Sequence, residues 1–353
     1  MMSRAIPSRS STLCRALLLA LTAVLGAFGA TPALAAACTA TALTATDLGS
    51  FSPAAVATTG AVPALRSRAG LVCTPGLLKV LSGNYIKATF QSRNALKLAP
   101  ATAGAPTLSY ALSADPNNSV PIANNGTVDY MQGDLLNLLG LLGGTSAELP
   151  FFVRPLATAG LAEGVYTDRL TIKWDWYICQ GIGALGACIL GLEKDTATTI
   201  VDITLTVAAR KLVLTASGRT TWDPVNGTSF PKAVPGGKRR VSVQLNNPDI
   251  VATDGNVTVV MPIAPLQTLA LDGDGTSAGL VSFAMTPSGN AVALSYDGPA
   301  STSDDVDFSA DQGLTWTYVP GATAGLTNAI RFRPRGRVPA GATLDFSVPV
   351  TVR

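Results

Sequence analysis

The sequence predicts an all-β protein built from two β-sandwiches in tandem behind a cleaved signal peptide. Three observations predict it. Short segments with strict apolar–polar alternation recur along the chain; Gly, Asn and Pro turn signals separate them; and threonine, valine and glycine are abundant. The alternating segments include Leu108–Leu112, Arg169–Trp174, Thr199–Val207, Arg240–Leu245, Ala329–Arg333 and Thr343–Val348. Between them stand Asn117-Asn118, Asn125-Gly126, Asn226-Gly227, Pro235-Gly236-Gly237, Asp254-Gly255 and Pro339-Ala340-Gly341. Many short strands at such spacing read as sandwiches.

The first 35 residues order as a secretion signal: basic residues Arg4, Arg9 and Arg15, an apolar run from Ala16 to Ala30, then Ala33-Leu34-Ala35. Cleavage before Ala36 leaves Ala36 and Ala37 ahead of Cys38. A lipoprotein reading of Cys38 is weakened by Ala35, where leucine would be expected. After the leader no apolar run reaches the length of a membrane span, so the mature chain is expected to have no transmembrane segment.

Cys14 leaves with the leader, and four of the five cysteines remain: Cys38, Cys73, Cys179 and Cys188. In an exported chain an even number reads as two disulfides. Three connectivities exist; we favour Cys38–Cys73 and Cys179–Cys188, which close a longer and a shorter loop. Chain entropy gives them roughly 3.8 and 2.7 kcal/mol as upper values. Zinc is the rival reading, but there is no CxxC pair and the chain has no histidine. Lacking histidine, it also has no Ser-His-Asp triad, Cys-His dyad or His-ligated metal. A formal charge of +3 over 353 residues offers no footprint for nucleic acid. No cofactor is expected, and the chain is read as a non-enzyme.

Length suits two units. All mature cysteines lie before about position 190, and a long alternating segment ends at Val207. The boundary is therefore placed at Ala208-Ala209, giving units 36–208 and 209–353.

Four segments of the first unit carry a resemblance. They are Ala37–Ala40 running on to Asp47–Pro53, then Leu71–Gly76 with Val80–Gly83, then Leu108–Pro116, and last Ala162–Ile172. In this order behind a signal peptide they resemble the spore coat protein U family, the secreted Ig-like sandwich subunits of archaic, Csu-type chaperone–usher pili. The chain departs from that pattern at Leu48-Gly49-Ser50-Phe51, where a Phe-Gly turn is usual, and in an apolar insertion after Tyr130. The resemblance implies an incomplete sandwich that accepts a strand from a neighbouring pilin subunit, with a periplasmic chaperone and an usher as further partners. Donors usually carry ten to twenty residues before their first family cysteine. With two there, this chain would sit at the fibre tip. The second unit resembles a DUF11-like Ig-like module of bacterial surface proteins. That resemblance rests on Val241–Pro248, Asn256–Pro262, Val306–Trp316 and Ile330–Leu344. The whole then reads as two Ig-like β-sandwich domains.

Two glycine-leucine segments break the alternation: Gly133–Gly144, and Cys179–Cys188 continuing to Leu192. As apolar loops they would contact hydrophobic surfaces through Leu138, Leu141, Ile182 and Leu185. Leu135, Leu138, Leu139 and Leu142 also fit a short helix packed on the sandwich. In the second unit the acidic clusters Asp272/Asp274 and Asp304/Asp305/Asp307 lack full EF-hand spacing. They are read as solvated turns rather than as a calcium site or a glycosidase pair. Lys238-Arg239-Arg240 reads as a charged strand start. Arg331, Arg333, Arg335 and Arg337 should share one solvated face. The function that follows is an exported structural or adhesive subunit of an archaic chaperone–usher pilus, located in the periplasm in transit and then at the cell surface. The alternative is a stand-alone secreted Ig-like binding protein.

Overall fold

A computed structural model describes residues 38–353, apart from 75–82, 134, 136–138, 140–146, 180–182, 185–186, 189–190 and 322–323. The leader lies outside the described residues. The architecture is all-β, with two β-sandwiches whose buried apolar clusters share no residue.

The N-terminal sandwich has two layers. One holds the strands Cys38–Ala40, Leu65–Cys73, Ala147–Pro155 and Leu108–Ser113 in that order. The other runs Gly126–Asp129, Tyr85–Ser92, Gly164–Cys179, Leu192–Val207 and Leu43–Phe51. Lys97–Pro100 pairs with both Gly164–Cys179 and Leu108–Ser113, which joins the layers. Alternation explains the long strands. Tyr166, Leu170, Ile172, Trp174, Trp176 and Ile178 point inward from one of them, and Val201, Ile203, Leu205 and Val207 from the next.

The first strand changes layers. Cys38–Ala40 pairs antiparallel with Leu71–Cys73, and then Leu43–Phe51 runs parallel to Ile200–Val207. Ser52 follows and caps the short helix Pro53–Ala57, accepting from the Ala55 N–H at 2.9 Å. Gly70 makes the layer change sterically feasible. Its φ is +81°, the register of Leu65–Cys73 shifts there, and a Cβ would collide with the Thr199 side chain. Cys38 is bonded to Cys73, its directly opposed partner, and Cys179 to Cys188.

Within the apolar insertion, Leu135 is buried and Leu139 packs beside it. The Leu139 N–H donates to the Leu135 carbonyl at 3.0 Å. Leu138, Leu141 and Leu142, on which the helix and loop readings also rest, lie outside the described residues.

The C-terminal sandwich sets one sheet, Val213–Trp222, Lys238–Asn246, Thr343–Val352 and Gln267–Leu269 in order, with Ser282–Thr286 also on Thr343–Val352. Against it lies a three-stranded sheet, Val259–Pro262, Ala329–Phe332 and Val306–Ser309. Phe332 and Phe346 stack across the layers with ring centroids 5.0 Å apart.

Candidate functional site

Two sheet margins differ in how completely they are covered, and that difference is the candidate site. In the N-terminal sandwich, Leu192–Val207 lies between Gly164–Cys179 and Leu43–Phe51. It pairs with the first from Gly164↔Val207 to Cys179↔Leu192 without a break, and its other side is taken by the parallel pairing to Leu43–Phe51. Its inward residues Val201, Ile203 and Leu205 are fully buried. Among the described residues, no gap is left between Leu43–Phe51 and Leu192–Val207. The resemblance had implied an incomplete sandwich here; the structure corrects that, because residues 192–207 supply the closing strand from within the chain.

In the C-terminal sandwich the margin is bare. Val213–Trp222 pairs only with Lys238–Asn246 among the described residues. Directly opposed residues share a face. Leu214 stands opposite Leu245, Ala216 opposite Val243, and Gly218 opposite Val241. Leu245 and Val243 are 5% and 4% exposed, so this is the inner face, yet Leu214 on it is 53% exposed. Every residue from Val213 to Arg219 is exposed, on both faces of the strand. The opposing sheet has too few strands to cover it.

Arg239 occupies the same face, in register with Val241, Val243 and Leu245. Its guanidinium lies over Gly218, donating to the Gly218 carbonyl at 3.3 Å. Its Nε–H is buried without a hydrogen-bond partner. Its neighbours face the other way and are paired, Lys238 with Asp272 at 2.5 Å and Arg240 with Asp274 at 2.6 Å. In sequence the run Lys238-Arg239-Arg240 reads as one charged strand start. The alternation of Val241, Val243 and Leu245 could have placed Arg239 inward.

The acidic clusters also depart from expectation. Asp274, Asp304 and Asp305 are buried, not solvated. Asp307 binds Arg331 and Arg333, each at 2.7 Å, and Asp305 binds Arg335 at 3.0 Å, while Arg331 stacks over Trp316. Arg331, Arg333 and Arg335 of the stripe are thus held by Asp305 and Asp307. No group of three or more metal-ligating side chains is placed to hold an ion among the described residues.

Other buried acids serve turns. Burial acts to raise the Asp115 carboxyl, but hydrogen bonds from Val120, Ser113 and Ser119 outweigh it and hold it well below the usual carboxylate range. Backbone N–H groups, the Asn226 N–H foremost, lower Asp223 likewise, and the Ser309 and Thr315 hydroxyls hold Asp311 at about 2. Asp168 accepts from Ser92 Oγ at 2.5 Å and Tyr110 Oη at 2.6 Å in the N-terminal core. Burial and then this hydrogen bond push the Tyr110 phenol above its usual range. Each carboxylate is saturated by structural donors.

Leu138, Leu141, Ile182 and Leu185 lie outside the described residues. What is described near the last two is a small hairpin, Gly183–Ala184 against Ala187–Cys188, closed by the Cys179–Cys188 bond. No helix among the described residues is long and apolar enough to cross a membrane.

Comparison with known proteins gives three findings. Residues 24–173 match the family model described as the Spore Coat Protein U domain. No curated protein matches the chain. Among solved structures, the chain is similar to the complex described as the CsuC–CsuE chaperone–tip adhesion subunit pre-assembly complex from archaic chaperone–usher Csu pili of Acinetobacter baumannii. Identity is 14% and the TM-score 0.39, over 90% of this chain and 95% of that one. The family match ends inside the strand Gly164–Cys179, so the closing strand Leu192–Val207 lies beyond it. Residues 24–173 are thus similar to the Spore Coat Protein U domain.

Proposed function

We propose that this protein is an exported, non-enzymatic subunit of a surface fibre of the archaic chaperone–usher type, standing at the tip. Its units are 36–208 and 209–353. The carrying observation is the contrast between the two sandwiches: the first contains its own closing strand, and the inner face of the second is uncovered along Val213–Arg219. An uncovered inner face with an open strand edge takes an added strand. Such a chain accepts one strand and donates none, since the expected cleavage leaves only Ala36 and Ala37 before Cys38. A periplasmic chaperone would cover the second unit in transit, an usher would pass it outward, and a neighbouring pilin subunit would then occupy it.

Co-expression in a periplasm with an archaic-type pilus chaperone tests this. The expected result is a stable complex in which the segment between about 209 and 353 is cut by protease more slowly than in the protein expressed alone. A protein that forms no complex with the chaperone, and whose proteolysis the chaperone does not slow, overturns the reading and favours the stand-alone Ig-like protein.

Adhesion to hydrophobic surfaces is assigned to the apolar loops. Replacing Leu138, Leu141, Ile182 and Leu185 together by Asp is expected to abolish retention on polystyrene while the circular dichroism spectrum stays unchanged. Full retention by the folded variant removes these residues from the adhesive surface.

A further inference from the structure

We propose that the strand taken up by the C-terminal sandwich must present a carboxylate to Arg239. This rests on the strand-accepting reading above and specifies the chemistry of the occupant: an extended segment of a neighbouring subunit bearing one Asp or Glu on its inward face.

The inner face of Val213–Trp222 offers small or aliphatic positions, Leu214, Ala216 and Gly218, at every second residue. Beyond the last of these the apolar floor stops and a cation begins, because the Arg239 guanidinium lies over Gly218. Inside a sandwich a cation is tolerated when it is paired and hydrogen-bonded. Arg239 is unpaired among the described residues, and its one hydrogen bond, from Nη2 to the Gly218 carbonyl, leaves Nε–H without an acceptor. No described carboxylate makes an ion pair with it, while the residues on either side each have one. Its Nε–H, buried and without an acceptor, is one of only five such side-chain atoms among the described residues. An apolar strand laid over this face would bury the guanidinium further with nothing to receive its donors. A strand with a carboxylate there would meet it with charge-assisted, bidentate geometry.

The spacing of the occupant follows. Strands of packed sheets run within about 30° of one another, so inward residues keep their two-residue step across the layers. The segment therefore reads acid-x-apolar-x-apolar, with the acid over Arg239 and Gly218 and bulky apolar side chains over Ala216 and Leu214. The small residues at 216 and 218 leave room for large partners. A wholly apolar donor would be selected against by the same arginine, which gives specificity through an unpaired charge.

The test uses the full mature chain and a set of synthetic fluorescein-labelled 15-residue peptides alternating valine and threonine. In each, Asp replaces one valine, so that the set covers every register; the controls carry Asn there or keep valine throughout. One Asp peptide is expected to bind at least tenfold tighter than its Asn version by fluorescence anisotropy. Arg239→Met should remove that difference while leaving the affinity for the all-valine peptide equal or higher. Circular dichroism on Arg239→Met and Arg239→Gln checks folding, and either variant suffices. Peptides that bind without any Asp preference, or a preference that survives both substitutions, overturn the carboxylate proposal and leave the strand-accepting reading standing. If no peptide of the set binds, the strand-accepting reading falls and this inference falls with it.

Discussion

Ile203→Asp is expected to abolish the folded N-terminal sandwich and to leave the C-terminal one intact. Ile203 is fully buried in the closing strand and pairs on one side with Asp168 and on the other with Thr46. The substitution removes a core side chain, costing on the order of 2–5 kcal/mol, and adds a carboxylate with no designed partner, costing several more. Domains carry about 5–15 kcal/mol in total. The loss is therefore comparable to the whole stability of the unit. Trp174 and Trp176 lie in the same core, so their near-ultraviolet circular dichroism reports it directly. Trp222 and Trp316 belong to the other sandwich. The control is Thr198→Asp, five residues before Ile203, exposed and opposite Lys173, which should change stability by less than about 0.5 kcal/mol. If the tryptophan signal of Ile203→Asp matches the unmodified protein, then Leu192–Val207 is not what closes the sandwich.

That strand shows where sequence reading succeeds and where it stops. Its existence was plain from the alternation of Thr199 to Val207, because a half-buried strand needs a period of two whatever its neighbours. Its role was not legible. Whether a strand closes its own sheet or leaves a gap depends on which strands flank it, and pairing is a long-range property that local pattern does not encode. The family resemblance pointed the wrong way for the first unit, because its motifs end before Leu192. The buried acids failed for a related reason. Asp274, Asp304 and Asp305 stand in turn-like sequence, and only the register of Val306–Ser309 against Ala329–Phe332 brings arginines onto Asp305 and Asp307. Arg240 reaches Asp274 from another strand altogether. Arg239 is the opposite case: parity with Val241, Val243 and Leu245 already placed it inward, and the run of three basic residues concealed the alternation.

Leu214→Asp and Leu245→Asp are expected to act on different processes, although the two leucines face each other across one strand pair. They share a face and differ in cover, 53% exposed against 5%. Leu245 belongs to the apolar cluster with Val243, Leu344 and Phe346, so its replacement by Asp should unfold the C-terminal sandwich, again by roughly 4 kcal/mol or more. Leu214 gives up little on substitution, because water already reaches it; its Asp variant should fold and melt within a few degrees of the unmodified protein. Strand capture, however, requires burying that side chain. A carboxylate there would have to be desolvated beneath the incoming strand without a partner, which is enough to reduce complex formation by a hundredfold or more. Thermal melts of both variants, with size-exclusion chromatography after chaperone co-expression, separate the effects. A Leu214→Asp protein that still forms the complex in full yield would show that the occupant does not lie over this strand. One that fails to fold alone would show that the exposed inner face is already part of the core, and that the second sandwich needs no strand from outside.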